Sequence, residues 1–385
     1  MFKSFRLRTP DWILFGLDTV RQIGSEAKRL GAGRVMVLTD PGVAKSGSLE
    51  PVTESLKGEG LEYDVFDQVE PEPSIQSLME ASRMAKAGKF DVFVALGGGS
   101  SMDTTKLVSA MMTNEGDIQD FFGVDNVPKR GLPTIMVTTT SGTGSEVTRM
   151  AVFTDTEANL KRVVSAQNIL ADVAIVDPNM TQSMPPAVTA ATGIDAFIHA
   201  VESYVAVNAS PLTDNIALEA TRLISKNLGP AFARGGDMAA RYNMALGSLM
   251  AGITLNNAGV GAVHALAYPV GAEYHLAHGP ALTVIFPATM RSISIACLIK
   301  YRNLAEAMGI DVGGLAPWEA AEEAVKGMEA LTRMVKLPTT LKEIGADQSK
   351  VRKWAKAAHG EQRLLGNTPR SLSEEDVADI FNNSF

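Results

Sequence analysis

Between Ile13 and Val137, short β-rich runs alternate with helical patterns, and this succession restricts the possible folds more than any other feature of the chain. The runs at 13–16, 34–39, 63–66, 91–96 and 134–137 carry the Val, Ile, Leu and Phe content expected of buried strands. Between them, 20–30, 49–57 and 75–87 have helical periodicity, with Gly31 placed as a helix stop. Strand–helix–strand succession predicts a parallel sheet with helices on both faces, and such sheets bind ligands at the carboxyl ends of their strands. From about Pro186 the β-rich runs fade, and 187–205, 211–227, 237–255 and 316–336 read as long helices. A chain of 385 residues exceeds what one hydrophobic core usually serves. The expected organisation is an α/β domain over 1–185 followed by an all-α domain over 186–385.

Composition excludes several functions. With 45% hydrophobic and 20% charged residues the chain has the balance of a globular protein, which argues against disorder. Its net charge of -8 contains no acidic or basic block, so neither nucleic acid nor an anionic membrane surface is an expected partner. Small molecules are. Cys297 is the single cysteine, which rules out an internal disulfide and fits a reducing compartment. No apolar leader opens the sequence and no apolar run is long enough to span a bilayer, so a cytoplasmic location is expected.

Two segments carry cofactor-like chemistry. The strand at 91–96 runs directly into Gly97-Gly-Gly-Ser-Ser-Met-Asp103, with a helix expected from Thr104 and Ser100 or Ser101 as its cap. Glycines let backbone amides approach a ligand, and a helix N-terminus favours an anion, so this reads as a pyrophosphate seat. It is neither Gly-x-Gly-x-x-Gly nor a Walker loop, and a ligand-free glycine turn is the simpler alternative. The second segment, Thr138-Thr-Thr-Ser-Gly-Thr-Gly-Ser-Glu-Val-Thr148, offers hydroxyls to a ribose or phosphate, although such loops are as often structural.

Metal chemistry is suggested farther along. On a helix, Asp195 and His199 stand four residues apart on one face. His264, His275 and His278 place three of the five histidines within fifteen residues, among Ala, Val, Leu and Gly. A carboxylate with several imidazoles suits zinc or ferrous iron, whereas the Asp195/His199 pair alone needs no metal to explain it. The residues by themselves do not choose between His275 and His278.

Taken together, Gly97-Gly-Gly-Ser-Ser-Met-Asp103, Thr139-Thr-Ser-Gly-Thr-Gly-Ser-Glu-Val147, Met184-Pro-Pro, Ala190-Ala-Thr-Gly-Ile-Asp195 with His199, His264-Ala-Leu-Ala with Pro269-Val-Gly, and His278-Gly279 occur in an order that resembles the iron-containing (group III) alcohol dehydrogenases. The resemblance covers almost the whole chain. It implies an N-terminal dinucleotide-binding α/β domain and a helical C-terminal domain, the dehydroquinate synthase-like architecture. It also implies Asp195, His199, His264 and His278 as metal ligands and catalytic centre, with Fe2+ as the ion and Zn2+ as the alternative. His275 then remains a replacement or supporting group. For NAD it implies Gly98, Gly99, Ser100 and Asp103 at the pyrophosphate, Thr139, Thr140 and Thr143 in the second segment, Lys161 reaching the cofactor, and Asp40 on the adenosine ribose.

The activity so implied is interconversion of a primary alcohol and its aldehyde, the metal acting as Lewis acid towards the substrate oxygen while hydride passes between substrate and nicotinamide. Alignment suggests Met150, Leu255, Tyr268 and Leu364 as pocket walls, mostly apolar. Tyr268 stands where several relatives have a further histidine, which puts an acid/base role at that position in doubt. Small alcohols or aldehydes are the expected partners, in a homo-oligomer. The alternatives are a dehydroquinate synthase-like carbon–oxygen lyase, which would need a basic lining that the segments around Asp195 and His264 lack, and a non-enzymatic metal- or nucleotide-binding protein.

Overall fold

The computed structural model describes residues 4–155 and 160–385. Arg8–Met184 forms one compact unit and Pro185–Phe385 a second, and the described residues before Arg8 group with the second. In the first unit the elements are β1 (Trp12–Phe15), α1 (Ile23–Arg29), β2 (Arg34–Thr39), α2 (Pro41–Lys45), α3 (Leu49–Gly58), β3 (Glu62–Phe66), α4 (Ile75–Gly88), β4 (Val92–Gly97), α5 (Gly99–Thr113), β5 (Gly123–Val124), β6 (Thr134–Thr138), β7 (Met150–Asp155), β8 (Leu160–Ser165) and β9 (Val173–Val176). Six strands build a wholly parallel sheet in the order β1-β9-β6-β4-β2-β3.

The sheet is covered on both faces because its strands are apolar on both. Along β2, Val35 and Val37 enter one core with Ile23 and Ala27 of α1 and Val52 and Leu56 of α3. Met36 and Leu38 enter the other, with Leu78 and Ala81 of α4 and Leu107 and Val108 of α5. Strand order reverses around β2, whose two neighbours are β3 and β4. The carboxyl ends of β2, β4 and β6 therefore lie side by side, with Thr39 opposite Leu96 and Gly97 opposite Thr138. Such a reversal is where open α/β sheets form their ligand crevice.

Two local expectations change. The helix expected over 20–30 begins as a 3-10 turn at Thr19–Gln22 and becomes α only at Ile23, with the Val20 amide donating to the Asp177 carboxylate at 3.2 Å. The helix expected from Thr104 begins five residues earlier, at Gly99, capped by Gly98 without any side-chain hydrogen bond. Neither Ser100 nor Ser101 is the cap. Low helix propensity argues against starting a helix in Gly-Ser-Ser, and it is overridden here by packing of the following turns between β4, β6 and β7. A small second sheet, β5-β8-β7, has an antiparallel β7/β8 pair outside the βα alternation.

In the second unit, α6 (Pro186–Val205), α7 (Pro211–Ala233) and α8 (Met238–Ala258) pack on one another, followed by α9 (Ala262–Tyr274), α10 (His278–Thr283) and further helices to Asn382. Ser210 caps α7 and Asp237 caps α8, each side chain accepting an amide of the first turn. Every residue of α6 from Gly193 to Val205 is buried. A helix apolar all round lies inside its domain, so polar residues on it have only interior partners. No helix among the described residues is long and apolar enough to cross a membrane.

Candidate functional site

Helix α6 supplies two of the expected ligands from one stripe, Asp195 at 4% and His199 at 5% exposure. His264 comes from the first turn of α9. His278 is the first residue of α10, reached after α9 ends at His275 in a left-handed conformation (φ 51°). Gly279 makes this approach feasible. A Cβ there would lie 2.6 Å from the Ala191 carbonyl oxygen and 2.9 Å from its Cα, so only glycine lets α10 press its N-terminus against α6.

The four side chains converge on one atom. Asp195 Oδ1 lies 3.4 Å from His199 Nε2, 3.9 Å from His264 Nε2 and 3.6 Å from His278 Nε2. Ligand atoms about 2.1 Å from a shared ion at tetrahedral angles stand about 3.4 Å apart, so these spacings suit a single divalent metal. The donor set itself offers a second test. Asp195 Oδ1 and His264 Nε2 are buried and have no hydrogen-bond partner among the described residues, a costly state for polar atoms unless a ligand takes their lone pairs. Asp195, His199 and His264, all buried, have ligand atoms within 4.8 Å of one another; His278 joins them through Asp195, and its side chain is 41% exposed. Burial raises the Asp195 carboxyl above its ordinary range, opposed by His278 and His264, and a bound cation would oppose it further. His275 is exposed at the end of α9 and lies outside the cluster.

One residue escaped the sequence reading. Glu202, 1% exposed, accepts from His264 Nδ1 at 2.5 Å and from the backbone amides of Gly261 and Val263 at 3.2 and 2.8 Å. A carboxylate on Nδ1 holds the proton there and leaves the Nε2 lone pair facing the cluster. The signal was available: Glu202 lies three residues after His199 and seven after Asp195, on the same helix face.

The first unit holds the other group of expected residues. Gly98 caps α5, and Gly99 and Ser100 form its first turn, whose free amides suit an anion. The loop is crowded here: a Cβ on Gly97 would stand 2.4 Å from the side-chain Oγ of Ser101. The Thr139 amide donates to the Gly97 carbonyl at 3.0 Å, joining the loops that follow β4 and β6. Thr143 packs its methyl against Gly99, and the Thr140 and Ser101 hydroxyls are buried without hydrogen-bond partners among the described residues. Asp40, at the end of β2, spends Oδ1 on the amides of Gly42 and Val43, while Oδ2 turns towards Gly97. Backbone amides, orphaned hydroxyls and a carboxylate around one strand-order reversal fit a dinucleotide.

Two expected contacts are otherwise engaged. Asp103 points inward, accepting from Ser145 Oγ at 2.6 Å and the Val152 amide at 2.9 Å. Lys161 pairs with Glu72 at 3.1 Å, and the Glu72 amide in turn donates to Ser100 Oγ at 3.3 Å. Of the expected pocket walls, Leu255 and Leu364 are buried and Tyr268 is half-buried on α9, against which the short helix Gln362–Leu365 packs. Met150 opens β7 in the first unit, its carbonyl accepting from Lys106.

Comparison with known proteins bears on both units. The "Iron-containing alcohol dehydrogenase" family model matches residues 10–178, and that for "Fe-containing alcohol dehydrogenase family, C-terminal" matches 189–385. Long-chain-alcohol dehydrogenase 1 of Geobacillus thermodenitrificans is 42% identical over 373 residues, 96% of this chain and 94% of that one. NAD-dependent methanol dehydrogenase of Bacillus methanolicus is 36% identical over 375 residues, 97% of this chain and 98% of the relative. A crystal structure of 1,3-propanediol oxidoreductase superposes with a TM-score of 0.96 at 35% identity, covering 100% of both chains. With both halves matched by its models and full-length relatives well above 30% identity, the chain belongs to the iron-containing alcohol dehydrogenase family.

Proposed function

We propose that this protein interconverts a medium-length primary alcohol and its aldehyde, using NAD(H) at Gly98, Gly99, Ser100, Thr139, Thr140, Thr143 and Asp40, and ferrous iron at Asp195, His199, His264 and His278. The observation that carries the reading is the convergence of three imidazole nitrogens within 3.4 to 3.9 Å of Asp195 Oδ1, two of the four atoms being buried without hydrogen-bond partners among the described residues. When bound, the metal supplies Lewis acidity towards the substrate oxygen and the nicotinamide exchanges hydride. The chain's own part is positional. Glu202 fixes the ring and tautomer of His264, Gly279 sets His278 against α6, and the buried faces of α6 and α9 keep water from the ligands.

Asp40 argues for NAD over NADP, because a carboxylate beside the ribose repels a 2′-phosphate. The relative named as NAD-dependent agrees. Asp103 then acts on the cofactor through other residues, and Lys161 would exchange Glu72 for the cofactor. Zinc is the alternative ion, since both metals accept this donor set. Tyr268 is read as a wall: burial raises its phenol above its ordinary value, which makes it a still poorer base at neutral pH. Residence in the cytoplasm and assembly as a homo-oligomer belong to the same reading, supported by the lone cysteine and by β1, an edge strand with Trp12 57% exposed.

An anaerobic assay of alcohols and aldehydes with added Fe2+, Zn2+ or chelator tests the proposal. Activity restored by Fe2+ with NAD and an unsubstituted primary alcohol is expected. Absence of turnover after reconstitution with either metal would favour a non-enzymatic binding protein instead.

A further inference from the structure

Asn367, 7% exposed, follows the short helix Gln362–Leu365, and nothing in the proposed chemistry uses it. Its side-chain nitrogen donates to the Ala258 carbonyl at 2.8 Å and to the Val260 carbonyl at 3.0 Å. Its Oδ1 accepts from the Asn208 amide at 3.1 Å, and its own carbonyl accepts from the Val207 amide at 2.9 Å. Both donors of the carboxamide are thereby used, together with its acceptor.

The four partners lie at two places that bear on the metal cluster. Val207 and Asn208 directly follow α6, which carries Asp195, His199 and Glu202. Ala258 ends α8, and Val260 leads into α9, which carries His264. One residue therefore ties the exit of the helix with two ligands to the entry of the helix with a third. The turn it grips is also the one that meets Glu202: the amides of Gly261 and Val263 donate to Glu202 Oε1, while Oε2 takes His264 Nδ1. Glycine permits the close approach. Gly259 has φ 76°, and a Cβ there would stand 2.9 Å from Asn367 Nδ2; a Cβ on Gly261 would stand 2.9 Å from Thr368 Oγ1.

The chemistry of the position is specific. Carbonyls at a helix end have no helical partner and need donors when buried, whereas the Asn208 amide needs an acceptor. Of the side chains of this shape, only the carboxamide meets both demands. Aspartate would keep the acceptor but turn lone pairs towards two carbonyls, and leucine would supply neither group.

We infer that Asn367 is a positioning residue for the metal centre: it fixes the Ala258–Gly261 turn against the end of α6, and so sets His264, through Glu202, in register with Asp195 and His199. The inference rests on the reading that these residues hold a divalent metal. The Asn367 amide also donates to the Leu364 carbonyl at 3.0 Å, so the expected pocket wall is held from the same point.

The test is metal binding by the full chain in Asn367→Asp and in Gly259→Ala, which leaves the carboxamide in place but drives a methyl group against it. Chelator competition gives the Fe2+ affinity, and the visible spectrum of the Co2+-loaded protein reports ligand geometry without turnover. Asn367→Asp should weaken Fe2+ binding by about 10- to 100-fold, the scale of losing the support of a metal ligand, and should change the Co2+ absorption bands. Gly259→Ala should move both in the same direction and by less. Wild-type Fe2+ affinity and Co2+ spectrum in Asn367→Asp overturn the inference even where Tm falls, since Asn367 would then support the fold alone. If Asn367→Asp does not fold, Gly259→Ala decides, and wild-type values there overturn the inference. Failure of the unmodified protein to bind Fe2+, Zn2+ or Co2+ would instead overturn the metal reading, and this inference with it.

Discussion

The two units each bury a cluster of charged and polar groups, and the clusters differ in how far they satisfy themselves. Around Asp103 the network is closed, since Oδ1 accepts from Ser145, Oδ2 accepts from the Val152 amide, and Lys106 balances the charge from 3.6 Å. Around Asp195 it is open: four donor atoms crowd one point, and Asp195 Oδ1 and His264 Nε2 have no hydrogen-bond partner among the described residues. Desolvation is the largest influence on the carboxyl in both places, raising each above its ordinary value. Burial alone therefore does not separate a binding site from a brace. Completeness does: a closed network holds backbone in place, whereas an open one acquires its missing partner from a ligand.

The largest effects should come from emptying the open cluster. His264→Ala or His278→Ala should lower kcat/KM by about three orders of magnitude or more and strip the metal during dialysis, since ligand number sets retention. His275→Ala should leave both within about twofold, consistent with its exposure outside the cluster. Metal analysis beside kinetics decides. Loss of iron in His275→Ala with retention in His278→Ala would exchange their assignments.

One step outward, Glu202 completes the open cluster without being a ligand. Glu202→Gln keeps the shape but weakens the grip on His264 Nδ1 and on the amides that open α9. Metal affinity should fall by about 10- to 100-fold. Competition with a chelator measures it, and an unchanged affinity would mean that helix packing alone aims His264.

Beside the closed cluster, and coupled to Lys106 only through charge, stands Glu146, which gives a pH test. Glu146 is 2% exposed, its Oε2 has no hydrogen-bond partner among the described residues, and burial raises its carboxyl from 4.5 to about 7, with Lys106 opposing. The folded protein thus holds this proton more tightly than the unfolded chain. The associated stability is full below pH 4.5 and is lost as pH rises through about 7. At about 1.4 kcal/mol per pKa unit, the loss is about 3 kcal/mol. Glu146→Gln cannot ionise and should remove that decline. Denaturant unfolding at pH 5 and pH 8 checks it: the advantage of Gln over Glu should grow with pH, and an equal difference at both values refutes the assignment.

How much was legible beforehand follows from the same contrast. The parallel sheet was legible because β2 and β4 are apolar on both faces and strand–helix alternation permits few topologies. The glycine loop was legible because three successive glycines directly after a buried strand mark a close backbone approach, and here Gly97 adopts φ 155° with a Cβ position crowded by the Ser101 side chain. The Asp195–His199 stripe could be read from helical spacing, but His278 over His275 could not, because the choice depends on where α9 stops and on Gly279 meeting Ala191, contacts distant in sequence. Lys106 was invisible for a related reason. In sequence it is one lysine in Thr-Lys-Leu, and only the return of residues 145–150 across α5 surrounds it with acceptors.

The smallest effect concerns Tyr268, which lies on the same helix as His264 but belongs to neither network. Its phenol has a pKa above the ordinary value, first because it is desolvated and then through Glu361, Glu202 and Asp195, with Arg363 opposing. Deprotonation near neutral pH is therefore disfavoured, and with it service as a general base. If Tyr268 is only a wall, Tyr268→Phe keeps the ring and its packing, and kcat/KM for a primary alcohol should fall by less than about tenfold. Leu255 and Leu364, both buried, are the other candidate walls in this unit, and an apolar wall leaves a second substrate hydroxyl unpaired at roughly 1 to 3 kcal/mol. Unsubstituted medium-length alcohols should then outperform 1,2-propanediol and glycerol in kcat/KM, in wild type and in Tyr268→Phe alike. A diol preference that disappears in Tyr268→Phe would make the phenol a partner for the second hydroxyl. A loss of several hundredfold for every substrate would make it a participant in proton transfer.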